Sequence, residues 1–359
     1  MGVDKARGEF RRPVLVVPAF SVAVEPGTMA WPVHDGRPRE VTVVVRTEDP
    51  IPVEASLALE APEGWTVSPE RVALPYEHEG ASRSVTFTVT PPAAPAPGRV
   101  RLRAVALTGS GRRYDHRIDV IDYPHIPRAV VDAPAEAAVT VLPVRVRPGL
   151  RVGYIQGSGD AGAEALRQIG VDVVELGPDA VRAGAYDGFD ALVLGIRVYE
   201  TRPDVVAANA QILAFAERGG TVVVQYNKYE YPRGGFAPYP VSMSRPAPRV
   251  TDESAVVRPL DPEAPLLTSP NRITAADFEG WVQERGLYFL SEWDERFTPL
   301  LEMADPGEEP VRGALVYAPV GRGLYVYTGL SFFRQFPAGV PGAYRLFANL
   351  VSARVEDLR

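Results

Sequence analysis

Residues 151–169 read RVGYIQGSGDAGAEALRQI, and the reading of this stretch decides the fold of the larger half of the chain. Arg151–Gln156 is an apolar run of strand length, Gly157-Ser158-Gly159 interrupts it, and Ala161–Ile169 carries apolar residues at helical spacing. The pattern recurs downstream. Val171–Leu176 reads as a second strand, Ala191–Ile196 as a third and Thr221–Tyr226 as a fourth. A helix begins near Thr201 or Arg202, with Pro203 in its first turn and Gly219-Gly220 as its stop. Strand–helix alternation of this kind predicts a parallel sheet with helices on both faces. Ala314–Ala318 and Leu324–Thr328 then predict a closing hairpin around Gly321-Arg322-Gly323. A last helix from about Pro341 places Leu346, Phe347, Leu350 and Val351 on its buried face. The predicted α/β domain covers 150–355, with a long, aromatic, irregular insertion at 228–310.

Upstream the period is different. Residues 10–123 read as all-β, with short runs at Val41–Val45, Val53–Leu59, Val85–Val89 and Val100–Leu107. Turn signals separate them at Glu48-Asp49-Pro50, Pro62-Glu63-Gly64 and Gly109-Ser110-Gly111. This spacing predicts an immunoglobulin-like β-sandwich with Trp65 plugging its core and Pro91–Gly98 as a stiff loop. Residues 124–149, punctuated by prolines 124, 127, 134, 143 and 148, are expected to form a linker. Within it Val139–Val146 is expected to add an edge strand, because Pro143 is tolerated only at an edge.

Composition excludes several chemistries. The chain has 359 residues and no cysteine, so no thiolate nucleophile or disulfide exists. Its histidines are His34, His78, His116 and His125, so no Ser–His–Asp triad and no His-held zinc can form within the α/β domain. A net charge of −7 argues against nucleic acid, and no run is long enough to span a membrane. The basic start, Lys5 to Arg12 followed by Pro13–Val24, faintly imitates a signal peptide, but Pro13 and Pro18 interrupt the apolar run and a first strand is the better reading. Lys5 and Lys228 are the only lysines.

Open parallel sheets bind ligands at the carboxyl ends of their strands. Those ends supply Gln156, Ser158, Asp160, Arg197, Tyr199, Gln225, Tyr226 and Asn227, with the insertion above as a lid. Two readings stand side by side: ligand groups, or helix caps and loop ties. Gly157–Gly162 matches the dinucleotide fingerprint G-x-G-x-x-G after a strand, with Glu175 placed to meet a ribose hydroxyl. Asp160 sits where a pyrophosphate would arrive, and tight turns account for the same glycines. Neither Val224–Asn227 nor Gly329–Phe333 fits the G-x-S-x-G nucleophile turn. Asp252, Glu253, Asp277, Glu279, Glu284, Glu292 and Asp294 are candidates for a carboxylate pair acting on a glycoside, or are simply solvated or arginine-paired. Trp281 and Trp293, in the run with Phe278, Tyr288, Phe289 and Phe297, are either sugar-stacking platforms or the insertion's own small core.

Several stretches resemble the C-terminal part of large bacterial PIG-L (LmbE-like) N-acetylglucosaminyl deacetylase family proteins. They are Arg151–Asp160, Gly195–Tyr199, Val224–Asn227, Ser244-Arg245 with Arg249–Glu253, and, most specifically, Asp277–Phe289 and Thr328–Leu350. Gly64–Pro69 resembles the β-sandwich associated with such enzymes and with α-galactosidases. The resemblance implies an accessory region: a β-sandwich followed by a flavodoxin-like, class I glutamine amidotransferase-like α/β domain. It adds Arg245 to the candidate ligand residues and sets Tyr226 at that fold's nucleophile position. The zinc hydrolase chemistry of that family belongs to a separate domain with a His-Pro-Asp-Asp-Glu motif. No histidine here is followed by Pro-Asp-Asp, so no catalytic residue, metal ligand or cofactor carries over. The implied role is non-catalytic binding of glycan or of a deacetylase domain, in cis or in trans, in the periplasm or outside the cell. The implied chain is a piece of a longer protein or the partner of a separately encoded enzyme. The competing expectation is an enzyme or sensor binding a nucleotide or sugar in the strand-end crevice.

Overall fold

A computed structural model describes residues 2–4, 8–10, 17–48, 54–75, 77–123 and 125–358. Lys5, Arg12, Pro13, the Asp49-Pro50 turn, Val53 and Pro124 lie outside the described residues. The chain divides into two compact units, one of Met1–Met29 with Val33–Val141 and one of Ala30–Pro32 with Leu142–Arg359.

The first unit is a β-sandwich of antiparallel strands. Phe20–Glu25, Arg39–Thr47, Ser82–Thr90 and Thr66–Ser68 pair in that order. In a second sheet Glu136–Leu142 pairs with Gly98–Thr108, which pairs with Ala55–Glu60, which pairs with Val72–Leu74. Alternation builds the core: Val41, Val43, Val45, Phe87 and Val89 are buried while the residues between them face outward. The predicted stiff loop covers Pro91–Pro97, and Gly98 already opens the next strand. Two expectations are corrected. Trp65 is only half-buried and does not plug the sandwich core. The expected linker is largely strand: Ala129–Pro134 pairs with His116–Ile121, and Glu136–Leu142 is a full member of the sheet. Prolines mislead here because Pro143, which has no N–H to donate, falls just past the strand's end.

The second unit contains β1 (Arg151–Ile155), β2 (Asp172–Glu175), β3 (Ala191–Leu194), β4 (Thr221–Val224), β5 (Leu315–Val320) and β6 (Gly323–Thr328). They lie in the order β2-β1-β3-β4-β6-β5, extended past β5 by Thr298–Pro299. Pairing is parallel from β2 through β6 and antiparallel in the β5–β6 hairpin. Alternate residues feed two cores. Val152, Tyr154, Val193, Val223 and Val326 join one; Ile155, Leu192, Leu194, Val222, Val224 and Tyr325 join the other.

The first core also takes residues from α1 (Gly162–Gln168), from α6 (Phe332–Ala338) and from α7 (Pro341–Ser352). The second takes them from α2 (Pro178–Ala183), α4 (Pro203–Ala207) and α5 (Asn209–Glu217). The single helix expected from Thr201 or Arg202 is two pieces, α4 and α5, broken at Ala208, and a separate short α3 (Val198–Thr201) precedes it, ending at Arg202 before Pro203. Among the described residues no helix is long and apolar enough to cross a membrane.

The insertion is tied to the sheet by side-chain amides. Asn349, fully buried on α7, donates to the carbonyls of Leu266 and Asn271 and accepts from Asn271. Asn271 in turn bonds both main-chain groups of Arg145. Gln335 on α6 pairs with both main-chain groups of Val282. These bonds tie the insertion to α6 and α7.

Candidate functional site

Three strand ends and the insertion meet at one rim. Arg197, after β3, has a left-handed backbone with φ of 56°, and its N–H donates to the Tyr226 carbonyl at 2.8 Å. That backbone conformation is unfavourable for a side chain and is held by its neighbours. Its guanidinium grips Glu200, with Nη2–Oε1 2.5 Å and Nε–Oε2 2.9 Å, and Lys228 approaches the same carboxylate at 3.3 Å. The bond from Arg197, helped by Lys228, lowers the Glu200 pKa against the opposing effect of burial.

Tyr226, just past β4, stacks on Tyr288 with centroids 6.0 Å apart and tilts against Phe333 at 5.3 Å. Tyr288 and Gln283 also have left-handed backbones, so all three such non-glycine residues among those described lie in Arg197 or the adjoining insertion. Arg334 lies over the Phe333 ring at 4.8 Å and bonds Glu284 at 2.6 Å and Gln283 at 2.5 Å. Arg245 joins through Tyr229, lying 4.1 Å over its ring, while Tyr229 meets Tyr288 edge-on at 5.6 Å. Burial raises the Tyr226 pKa; Arg197 and Arg334 oppose that and Glu284 reinforces it. The hydroxyls of Tyr226 and Tyr288 hydrogen-bond to no described residue. Tyr226 itself is buried, so the rim's accessible aromatic surface comes from the half-buried Tyr288 and Phe333, beside ion-paired arginines.

Several expected ligand residues face inward instead. Tyr199 is buried between Tyr231 and Phe236, its ring 4.4 Å from that of Phe236, and its hydroxyl donates to Asn209. Asn227 is 1% exposed; it accepts the Tyr199 N–H and donates to the Gln225 carbonyl, so it ties the loop. Gln225 is equally buried and donates to the Tyr154 hydroxyl at 2.8 Å. That hydroxyl donates onward to Asp160 at 2.5 Å. Gln156 is half-buried and donates to the Asp160 carbonyl, while Ser158 is exposed with its hydroxyl on the Ile196 carbonyl.

Asp160 corrects the nucleotide reading. Its carboxylate accepts the Tyr154 hydroxyl and the N–H groups of Gly162 and Ile196. An anion of the chain itself thus takes the donor at the start of α1 that a phosphate would need. The glycines serve close packing: a Cβ on Gly157 would stand 2.1 Å from the Ile196 oxygen, and one on Gly162 2.3 Å from the Tyr154 hydroxyl. Glu175 pairs with Arg167 at 2.9 Å.

The carboxylate-pair reading fails similarly. Asp277 closes a capping box with Thr274 and binds Arg345 at 2.6 Å; Glu284 binds Arg334; Asp294 is held down at about 2 by its bonds from Arg296. Asp252 and Glu292 accept from serines, Glu253 accepts the Gln283 N–H, and Glu279 stands exposed. Trp281 is 3% exposed, donates to the Asp277 carbonyl and meets Phe278 and Phe332, so it belongs to the insertion's own core rather than standing out as a sugar platform. Trp293 is half-buried against the second core. Phe333 and Arg334 are rim residues that motif reading passed over, although both lie in Thr328–Leu350. Among the described residues no three histidine, aspartate or glutamate side chains gather as a metal site.

Comparison with known proteins gives one family match: residues 33–108 fit the NPCBM-associated, NEW3 domain of alpha-galactosidase. No curated protein matches the chain. Similar solved structures include WR4, a Caenorhabditis elegans MSP family member, at 8% identity over 33% of this chain and 96% of that one, with a TM-score of 0.19. A FixG-related protein from Vibrio parahaemolyticus matches at 8% identity over 35% and 98%, with a TM-score of 0.22. Escherichia coli alpha-2-macroglobulin matches at 16% identity over 35% of this chain and 7% of that one, with a TM-score of 0.22. The family match makes residues 33–108, within the sandwich, similar to the NPCBM-associated NEW3 domain.

Proposed function

We propose that this chain is a non-catalytic accessory region of a carbohydrate-active enzyme and that it binds glycan at the strand-end rim. The NEW3-like sandwich supports the setting, since the family is named for its association with α-galactosidase and its carbohydrate-binding module. The strand order β2-β1-β3-β4-β6 supports a flavodoxin-like, amidotransferase-like domain, and the resembling C-terminal motifs support a PIG-L-type deacetylase as the enzyme served, in cis or in trans. The resemblance to a family whose full-length members are typically exported supports the periplasm or the cell exterior as its place of action.

The observation that carries the reading is the stacked Tyr226–Tyr288 pair, with unbonded hydroxyls and flanking Arg197 and Arg334. Aromatic surface edged with a few placed polar groups suits a sugar ring. No cysteine or histidine accompanies Tyr226 at that strand end. Calorimetric titration with tri- and tetra-N-acetylglucosamine tests this. Wild-type chain should bind, and Tyr288→Ala should weaken binding about tenfold, or roughly 1.4 kcal/mol. Absence of binding up to roughly 10 mM, a bound state near −3 kcal/mol, would remove the glycan role. Acetate release by the metal-free chain would remove the non-catalytic one.

A further inference from the structure

Next to Gln283 and Glu284, the insertion holds an open cavity of about 410 Å³. Ala255, Val256, Val257, Phe278, Trp281 and Arg285 line it, and Glu253 and Glu279 also border it. Arg285 is the unusual member. It is 5% exposed, yet its guanidinium makes no ion pair with any described carboxylate. Nε donates to the Ala255 carbonyl at 3.0 Å and Nη1 to the Phe278 carbonyl, and Nη2 bonds no described residue. The group lies 5.9 Å from the Trp281 ring centroid.

Nearby acids are engaged elsewhere. Asp252 accepts from Ser254 at 2.6 Å, and Glu253 accepts the Gln283 N–H. Burial lowers the Arg285 pKa, and the fields of Asp252 and Glu253 only offset it. The backbone around it is fixed: the Arg285 N–H donates to Val250, and its carbonyl accepts from the Ser331 N–H at 3.0 Å. A buried cation without a counter-charge is costly, and arginine presents a fork shaped for carboxylate.

We propose that this cavity binds a small monocarboxylate, its carboxylate on the free edge of Arg285 and its apolar body against Val257, Phe278 and Trp281. The volume falls in the range of small-molecule sites. Glu253 and Glu279 repel a second negative charge, so the site selects monoanions over dianions. Val256, 63% exposed, supplies apolar surface at the border.

Phenylacetate, its neutral amide and phenylsuccinate are the probes, titrated into the full chain by calorimetry and ligand-observed NMR. Phenylacetate should bind, and the amide and the dianion should each bind at least tenfold more weakly, given charge-assisted bonding to a buried partner. Arg285→Met should abolish binding. Because that variant removes two internal bonds, Val256→Glu provides a surface change that adds a repelling charge without touching the core; it should weaken phenylacetate about tenfold at unchanged melting temperature. Arg197→Ala, at the rim, should leave phenylacetate binding intact, which separates this site from the glycan site. No binding of phenylacetate at roughly 10 mM, equal binding of the amide, or binding unmoved by Val256→Glu would each overturn the assignment.

Discussion

Asp160 shows how a residue placed where a ligand would be met can be wholly committed to the fold. Its carboxylate receives one buried hydroxyl and two main-chain N–H groups. Asp160→Ala should therefore lower unfolding free energy by roughly 2–5 kcal/mol, since several donors lose a charged acceptor at once. Tyr154→Phe in the same background should cost less than it does alone, because the hydroxyl has already lost its acceptor and keeps only the bond from Gln225. Urea unfolding of the two single variants and the double variant measures this; full additivity would show that the two groups do not act as one unit. The sequence marked Asp160 as a repulsive element for pyrophosphate, and that much was legible. It also placed Arg197 and Tyr226 at strand ends, where the structure brings them within one bonded rim. It could not tell Tyr199 and Asn227 from ligand groups, because a polar residue just past a strand reads the same whether its side chain turns outward or back beneath the loop. Only the broken helix after Arg197, which turns Tyr199 into the second core, decides that.

At the scale of elements, the parallel sheet, the closing hairpin and α7 were readable because each has its own period in sequence. What was not readable depends on long-range pairing. The segment after Tyr123 looked like linker because its prolines are frequent, yet Ala129–Pro134 folds back on His116–Ile121 and Glu136–Leu142 finds its partner far upstream in Gly98–Thr108. The insertion looked irregular because its order comes from side chains, above all Asn349, a lone amide on the otherwise apolar face of α7. Asn349→Ala would strand the Asn271 N–H and two carbonyls in a buried setting. The expected loss is roughly 2–4 kcal/mol, with increased protease cleavage within 228–310. Asn349→Ala with wild-type stability and unchanged digestion would mean the insertion is held by its apolar contacts alone.

For the whole molecule, the distribution of titratable groups sets the response to alkali. Burial raises the hydroxyl pKa values of Tyr154, Tyr199, Tyr231, Tyr325, Tyr327 and Tyr344, and that of Tyr186 to about 12. Tyr231 and Tyr325 share a hydroxyl bond of 2.7 Å, and Tyr231 stacks on Tyr327 at 5.1 Å, so an ionised ring has no accommodating place among them. An unfolded chain ionises its tyrosines near pH 10, whereas the folded chain resists. The raised values therefore add stability that is complete below about pH 10 and is lost as pH rises through the folded-state values. For Tyr186 alone the interval runs from about 10 to about 12 and is worth roughly 2–3 kcal/mol. Lysine adds little background, because Lys5 and Lys228 are the only lysines, and arginine keeps its charge throughout; the chain's other eight tyrosines make up the remaining background. Stability measured by urea between pH 8 and 12 should hence stay flat and then fall steeply, with tyrosinate absorbance rising together with the loss of near-ultraviolet circular dichroism. Tyr186→Phe should soften the fall. Tyrosinate from the full set appearing while the tertiary signal stays native would show that these rings open to solvent in the folded protein, and the account of the two cores would have to be redrawn.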